Sequence, residues 1–451
     1  MAGTDEEGRT GPAHARRRVL PNESEARLAD LGRQLPPPSE EELAITAGLR
    51  RRRRRQRLLA WTVAIVVLAL VAGAVLQWLR PLPQATVETS AVRLPGAAPT
   101  FAWPAAGEAA ATVEGVGPAG QVNGTQPVPV AGLAEVLAAY VVLSDHHLAP
   151  GDAGPAIPVN ADTLTAFQSG QAAQESEVPV AAGETLSEED ALEGLLVNSG
   201  GDMATLLADW DAGGVTAFVA KMNAAATALG MTATHITDPT GLDPATTSTA
   251  EDMVRLGEAS LTLPVLRQIV SLAQTDLPMA NTVYNLNFDL GQDGIIGIKS
   301  GSDSVAKGCY LFAAQQSIGG QQVTVVGAVL SQPAGSRGPN TAAVDAGDGL
   351  VQSIFAALHP FPLFAAGQHA ADLTAPWGST TALTAAAPIS VIGWPGLVAQ
   401  IDAHHAPIRG AVAAGTTVAT LDAGVGTAST HTDLRTAGAL SGPGLWWRLT
   451  R

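Results

Sequence analysis

Cysteine is nearly absent from the sequence, since Cys309 is the only one among 451 residues. An internal disulfide is therefore excluded, and a domain on an oxidising side of a membrane must be held together by packing alone. Apolar material for packing is plentiful, because 46% of the residues are hydrophobic. A chain of this length and composition is not disordered as a whole and is expected to hold more than one domain.

Basic residues are scarce after residue 57. Residues 1–57 contain 13 of the 25 basic and 9 of the 41 acidic residues, so the rest of the chain carries 12 basic and 32 acidic residues and a net charge of about −20. Proteins bind nucleic acid largely by neutralising phosphates with Lys and Arg. A body this acidic is therefore not expected to have a nucleic-acid partner.

Most of the basic residues before that point form one run, Arg50–Arg55 with Arg57, which directly precedes an uncharged stretch of 22 residues, Leu58–Leu79. That length suffices to cross a bilayer core of about 30 Å. Trp61 and Trp78 stand at its two ends as interfacial anchors, and the arginines are expected to stay in the cytoplasm. The pattern predicts one transmembrane helix, with residues 1–57 inside and the body outside. A cleavable signal peptide and a nucleic-acid-binding arginine run are the less favoured interpretations.

Composition divides the chain into five regions. Residues 1–57 are interpreted as a disordered cytoplasmic tail of unknown partner, with one short helix near Glu23–Leu31. Residues 58–79 are the membrane span, and residues 80–100 form a proline-punctuated linker. Residues 101–358 and 370–451 are predicted to be a main domain and a small all-β module, the latter from short alternating runs that include WWRLTR.

The main domain shows strand-like runs at both ends and helical periodicity between them. Strands are predicted over residues 109–117, 308–315 and 322–330. Helices are predicted over residues 132–143, 187–207, 215–229 and 250–260. Strands collected around a helical middle indicate an α+β domain, with an antiparallel sheet flanked by helices, rather than a repeating βαβ array.

Four stretches, in order, resemble the serine-type D-Ala-D-Ala carboxypeptidases, the low-molecular-mass penicillin-binding proteins. They are GETLSEEDALEGLLVNSGGDMATLLA, FVAKMNAAATALGMTATHITDPTGLD, STAEDMVRLGEA and DGIIGIKSGSDSVAKGCYLFAA. The resemblance implies a penicillin-binding-protein/β-lactamase-like fold followed by the family's C-terminal β module. It also implies a peptidoglycan stem peptide ending in D-Ala-D-Ala as the partner, and no cofactor.

Three motifs carry that family's acyl-transfer chemistry. S-x-x-K supplies a nucleophile and its base on one helix face, S-x-N relays the proton, and K-[ST]-G presents a cation to the substrate's terminal carboxylate. Two backbone N–H groups hold the oxyanion. The third motif is intact here as Lys299, Ser300 and Gly301, followed by Ser302; the resemblance makes these four residues substrate-binding and Lys299 also catalytic.

The other two motifs are degenerate. Ser199 keeps the proton-relay position of S-x-N, but Gly201 replaces the asparagine. Gly132 lies at the nucleophile position and Glu135 at the base position of S-x-x-K, so a side chain that could be acylated and its amine partner are both missing. Glu135 is hypothesised to pair with Lys299. Rescue by Ser199 as nucleophile is disfavoured, because its usual amine partner is absent.

Three functions remain open at this point. The leading one is a membrane-anchored, extracytoplasmic pseudoenzyme that binds stem peptides. The second is an active D-Ala-D-Ala carboxypeptidase with a nonstandard site, and the third is a membrane scaffold acting through its cytoplasmic tail. A metal is not expected, because the adjacent His146 and His147 point apart on a helix and lack further ligands.

Overall fold

The computed structural model describes residues 39–124 and 126–451, so the short helix predicted near Glu23–Leu31 lies outside the described residues. The chain divides into two compact units. One contains the described residues up to Pro81 together with Gly444–Arg451, and the other is Leu82–Pro443.

Helix α1 (Glu40–Leu79) is continuous over 40 residues. Its part from Leu43 to Leu79 is long and apolar enough to cross a membrane. The prediction of disorder up to residue 57 is wrong for residues 40–57. Strong helix formers, Leu, Ala and Arg, fill this segment, and Glu40 and Glu41 lie in the first turn, where a negative charge favours the helix dipole.

The second unit contains the strands and eight α-helices of the described residues. The helices are α2 (Ala134–Asp145), α3 (Ala161–Ala173), α4 (Glu188–Leu196), α5 (Gly201–Ala212), α6 (Val215–Ala228), α7 (Ala250–Leu261), α8 (Pro264–Val270) and α9 (Pro339–Ala357). The strands are β1 (Thr86–Glu88), β2 (Val92–Arg93), β3 (Glu108–Val113), β4 (Gly117–Val122), β5 (Val128–Pro129), β6 (Ala156–Pro158), β7 (Thr185–Ser187), β8 (Thr247–Ser248), β9 (Gln274–Leu277), β10 (Asn281–Tyr284), β11 (Ile295–Asp303), β12 (Lys307–Ile318), β13 (Gln321–Gln332), β14 (His359–Phe364), β15 (His369–Thr374), β16 (Thr380–Ala385), β17 (Ile389–Gly393), β18 (Val398–His404), β19 (Thr417–Val425) and β20 (Ala428–Thr436).

A five-stranded antiparallel sheet in the order β11-β12-β13-β3-β4 forms the centre of the main domain. Alternate residues of β12 enter two separate cores: Leu311 and Ala313 join the cluster that includes α7, while Tyr310 and Phe312 join the cluster that includes α9. The period of two along a strand produces this two-sided burial. The α+β prediction and the three predicted strands are confirmed. Among the described strands, β11 lies at the edge of this sheet and pairs with β12 alone.

The segment 187–207, predicted as one helix, forms two. Ser187 caps α4 with a capping box that involves Asp190, and α4 ends at Leu196. Ser199 then adopts φ +58°, and α5 begins at Gly201. A residue in the left-handed region cannot continue a right-handed helix. The break places Ser199 at a turn between two helices.

The C-terminal part forms a seven-stranded sheet in the order β1-β15-β16-β20-β19-β18-β2. Strands β1 and β2 come from residues predicted to be linker, and they complete the two edges of this sheet. Thr86 and Val87 are β-branched, and β1 pairs in register with β15, Val87 opposite Leu373. The partner strand lies nearly 290 residues away, so the local sequence of β1 shows β propensity but does not indicate that it pairs.

The last residues, predicted as part of the β module, form helix α10 (Leu445–Thr450). It belongs to the unit that contains α1. Gly444 begins the helix, and Arg448 N–H donates to its carbonyl, the bond that closes the first helical turn. These six residues, with two adjacent tryptophans, show neither the alternation of a strand nor the apolar stripe of a helix. Periodicity therefore does not distinguish helix from strand here.

Candidate active site

Gly132 and Glu135 lie at the start of α2, as the motif alignment predicts. A 3₁₀ turn over Ala131–Leu133 leads into the helix, and Ala131 adopts φ +48°, an uncommon conformation for a residue with a Cβ. Glu135 is only 3% exposed. The turn therefore places Gly132 and the Glu135 side chain next to each other inside the domain.

Glu135 and Lys299 form a buried ion pair, which confirms the hypothesis that they meet. Lys299 Nζ lies 3.0 Å from Glu135 Oε2, and both side chains are nearly inaccessible, at 2% and 4% exposure. Burial raises the pKa of the Glu135 carboxyl, and the opposite charge of Lys299 and a hydrogen bond from Ser199 counteract this. The pairing neutralises the cation of the K-[ST]-G motif from within the protein.

The other two hydrogens of the Lys299 ammonium group also have protein acceptors. Lys299 Nζ donates to Ser199 Oγ at 2.8 Å and to the Leu196 carbonyl at 3.1 Å. An ammonium group has three donors and no acceptor. With Glu135 as the third partner, Lys299 has no donor left for a ligand carboxylate unless one of these contacts breaks.

Ser199 bridges the two charged groups. Its hydroxyl lies 2.8 Å from Oε1 and 2.9 Å from Oε2 of Glu135, and its oxygen accepts from Lys299. The structure thus brings together Gly132, Glu135, Ser199 and Lys299, which belong to three motifs separated by up to 167 positions in the sequence. A Cβ added at Gly132 would lie 3.2 Å from Ser199 Oγ and 3.4 Å from Glu135 Oε1. The polar groups of the site therefore face the position from which a nucleophile is missing.

The K-[ST]-G strand divides its residues between the interior and the cleft. Ser300 is buried and donates its Oγ hydrogen to the Leu286 carbonyl at 3.0 Å. Gly301 lies against the turn at Gly132, where a Cβ would come within 3.1 Å of the Gly132 nitrogen. Ser302 is exposed. Of the four predicted substrate-binding residues, Gly301 and Ser302 line the cleft, whereas Lys299 and Ser300 lie behind its surface.

The cleft has a volume of about 320 Å³. Its lining residues come from the turn before α2, from the loop after α3, from the α4–α5 break, from the loop before β8, and from β11 and the loop that precedes it: Ala131, Gly132, Glu135, Gln174, Glu175, Ser176, Ser199, Gly201, Thr240, Leu242, Leu286, Gly301, Ser302 and Asp303. Carboxylates are the charged side chains among these residues.

Glu177 and Asp202 adjoin the cleft at Gly201, and sequence reasoning missed both. Glu177 Oε2 accepts the Asp202 N–H at 2.7 Å, and a Cβ added at Gly201 would lie 3.3 Å from Glu177 Oε1. Burial raises the pKa of Glu177 to about 8, and the neighbouring Asp202 carboxyl acts in the same direction, while the hydrogen bond from the Asp202 N–H opposes it. Glu177 follows α3 in an irregular loop, so no periodicity or motif could have indicated its position.

His146 and His147 do not approach the cleft lining. His146 Nε2 contacts Asp211 at 3.0 Å, and its ring stacks on Trp210 with centroids 3.9 Å apart. Among the residues that the structure describes, no group of three His, Cys, Asp or Glu side chains could hold a metal ion.

Comparison with known proteins finds a family that part of the chain matches. Residues 120–333 match the family model described as D-alanyl-D-alanine carboxypeptidase. The chain is 36% identical over 155 residues to D-alanyl-D-alanine carboxypeptidase DacB2 of Mycobacterium tuberculosis, covering 33% of this chain and 52% of that protein. It is 34% identical over 162 residues to a D-alanyl-D-alanine endopeptidase of Pseudomonas aeruginosa, covering 36% and 49%.

Penicillin binding protein 5 from Haemophilus influenzae superposes with a TM-score of 0.54 at 19% identity, covering 77% of this chain and all of that one. This likeness shows a penicillin-binding-protein/β-lactamase-like fold. The chain matches the D-Ala-D-Ala carboxypeptidase family, the low-molecular-mass penicillin-binding proteins, over residues 120–333, which is a little under half of its length. It spans about half the length of the curated relatives that it matches.

Proposed function

We propose that this protein is a membrane-anchored, extracytoplasmic member of the family that binds peptidoglycan stem peptides without cleaving them. The observation that carries the proposal is the arrangement of side chains around position 132. Ser199 and Glu135 face a glycine that has no side chain to acylate. Glu135 also forms an ion pair with Lys299, the cation that would otherwise bind a terminal carboxylate.

Loss of catalysis follows from the chemistry of the first motif. Removing the serine nucleophile of a hydrolase lowers its turnover by about 10⁶, and only about 10³ to 10⁴ over water remains from the oxyanion hole and binding. At position 135 a carboxylate replaces the amine base, and its negative charge is paired with Lys299. Ser199 keeps its relay position but is held between those two groups.

Binding is supported by the cleft beside an edge strand. One side of β11 pairs with β12, and its other side adjoins the cleft. An extended peptide can add to such an edge through main-chain hydrogen bonds. Gly301 and Ser302 lie where these bonds would form, while Lys299 supports the strand from behind. The stem peptide is therefore held mainly by its backbone, and its terminal carboxylate contributes little.

The location proposed for the protein is the cell membrane, with α1 as a single span, the N-terminus in the cytoplasm and the body outside. The support is the uncharged stretch Leu58–Leu79, which lies in the part of α1 that is long and apolar enough to cross a membrane, together with the arginines that precede it.

The test uses the full chain in detergent, incubated with fluorescent penicillin, beside the triple variant Gly132→Ser/Glu135→Lys/Gly201→Asn. We expect no covalent label on the natural protein, because no acylable side chain stands at position 132. A label that competes with unlabelled β-lactam on the natural protein would overturn the loss of catalysis. Label on the triple variant would show that the scaffold needs only these three side chains, since a Cβ at 132 and at 201 meets neighbours no closer than 3.2 Å.

Binding is measured on the same protein by calorimetry with a stem pentapeptide. Ser302→Trp places a large side chain in the cleft from an exposed position and should abolish the binding heat. Ser304→Trp changes an exposed serine two positions away, outside the cleft lining, and should leave it unchanged. Absence of binding to the natural protein, or equal binding by both variants, would contradict the proposed site.

A further inference from the structure

The outer face of residues 284–288 is an apolar surface beside the cleft. Leu286 belongs to the cleft lining, and its carbonyl accepts a hydrogen bond from Ser300 Oγ of β11 at 3.0 Å. Tyr284 and Phe288 are 64% and 65% exposed. Burial alternates along these residues as it does along a strand, so Tyr284, Leu286 and Phe288 share the outer face. This face, called the aromatic rim below, is continuous with the cleft.

Two buried asparagines hold the aromatic rim in place from behind. Asn285 and Asn287 are 6% and 3% exposed. The Asn285 side chain donates to the Leu272 carbonyl at 3.0 Å and accepts the Asn287 N–H at 2.9 Å. The Tyr310 hydroxyl donates to Asn287 Oδ1 at 3.3 Å. Buried, hydrogen-bonded amides fix the backbone that carries the exposed rings. A surface that is ordered before binding loses little conformational entropy when a ligand binds to it.

The surface next to the aromatic rim is apolar or acidic. Leu242 is 43% exposed and enters the cleft lining from the loop before β8. The charged side chains of the lining are Glu135, Glu175 and Asp303, all of them carboxylates. An anionic lipid surface attracts basic residues and is therefore a poor partner for this face. The occupant that fits is uncharged, with apolar faces that pack on the rings and polar edges that stay in water.

A pyranose sugar has this chemistry. Its ring presents a face of C–H groups and carries its hydroxyls at the edge, and the electron-rich face of an aromatic ring attracts the C–H side. We propose that the aromatic rim binds the glycan strand of peptidoglycan, with sugar rings stacked on Tyr284 and Phe288. The inference rests on the proposed function, because a stem peptide bound in the cleft brings the sugar to which it is attached to the rim. Its consequence is a preference for stem peptides that are still joined to glycan over free peptides.

The test compares two probes by calorimetry on the full chain in detergent. One is a free stem pentapeptide, and the other is the same pentapeptide joined to its disaccharide of N-acetylglucosamine and N-acetylmuramic acid. We expect the disaccharide to lower the dissociation constant about tenfold, the size of two aromatic stacking contacts. Tyr284→Ser/Phe288→Ser should remove this advantage and leave the affinity for the free pentapeptide unchanged, because neither residue belongs to the cleft lining. Met279→Ser, which changes a 63% exposed methionine in the turn between β9 and β10, is the matched control and should keep the advantage.

Equal affinities of the natural protein for the two probes would leave the proposed function standing and overturn the inference. An advantage that persists in Tyr284→Ser/Phe288→Ser would place the sugar elsewhere and overturn it too. A change in oligomeric state of this double variant in analytical ultracentrifugation, with the affinity ratio unchanged, would assign the rim to a second copy of the chain. If neither probe binds, the proposed function fails, and the inference fails with it. Binding of the disaccharide probe alone, lost in the double variant, would support the inference and contradict the proposed peptide site.

Discussion

At the scale of single residues, the ion pair of Glu135 and Lys299 changes what the third motif can do. The resemblance to the family implies that Lys299 is a cation that binds the terminal carboxylate of the substrate. In the structure its three donors meet Glu135, Ser199 and the Leu196 carbonyl. A buried charge without a partner is costly, so one substitution, at position 135, satisfies Lys299 and removes its availability to an anion.

Breaking this pair from one side should destabilise the fold. Glu135→Gln leaves the Lys299 charge buried without its counter-ion, and removal of one partner of a buried pair costs about 3–5 kcal/mol of unfolding free energy. Urea unfolding followed by circular dichroism measures the change. Asp345→Asn is the matched control, because its pair with Arg337 is exposed at 56% and 68% and such pairs contribute about 0–1 kcal/mol. Equal costs for the two variants would show that Lys299 is solvated when unpaired.

The pairing of Glu135 with Lys299 was predictable, because two aligned motifs placed both residues in one site. The Leu196 carbonyl and Glu177 were not. A backbone acceptor has no residue signature, and Glu177 reaches the site from a loop through contacts 25 positions away in sequence. The tight contact between Gly132 and Gly301 was equally hidden, since it depends on how the turn before α2 packs against β11.

At the scale of elements, the sequence patterns located the long helices and strands and missed what interrupts or completes them. The strands β3 and β13 follow runs that contain β-branched residues, β12 follows an apolar run, and all three agree with prediction. The break between α4 and α5 depends on the backbone conformation of Ser199, which no periodicity encodes. The edge strands β1 and β2, of three and two residues, form only because distant strands accept them.

The contact between Glu177 and the start of α5 predicts a pH dependence of stability. A carboxyl with a pKa of about 8 in the folded state, above its ordinary value of 4.5, binds more protons when folded between these pH values. Its stabilising contribution is therefore fully present below about pH 4.5 and is lost as the pH rises through about 8. Urea unfolding from pH 5 to 8.5 should show stability falling with pH, and Glu177→Gln should flatten that fall.

The raised pKa values of Glu108, about 7, and Asp348, about 8, act in the same direction, so the slope should be reduced in Glu177→Gln but not removed. Asp152→Asn, which changes an exposed carboxylate in a loop, serves as the control and should keep the natural slope. An unchanged slope in Glu177→Gln would mean that this carboxyl titrates normally in the folded protein.

At the scale of the whole molecule, charge is separated along the chain. Arginines cluster before the apolar part of α1, and the residues after them carry a net charge of about −20. Composition alone predicted this division, because it extends over long stretches of sequence. It could not predict that the last six helical residues join the unit of α1, since that assignment depends on contacts such as Arg448 with Trp78.

The proposed orientation depends on the arginine run and not on net charge. Replacing Arg50–Arg55 and Arg57 by Gln removes the positive charge next to the span, so part of the protein should insert with its body inside the cell. Basic residues near a span set orientation, and acidic ones contribute little. Glu40→Gln/Glu41→Gln/Glu42→Gln is therefore the matched control and should keep the natural orientation. Protease added outside spheroplasts should digest the body of the natural protein and of the control completely, and should leave a protected fraction of the arginine variant. Complete digestion of all three would show that the folded body or the apolar segment itself sets the orientation.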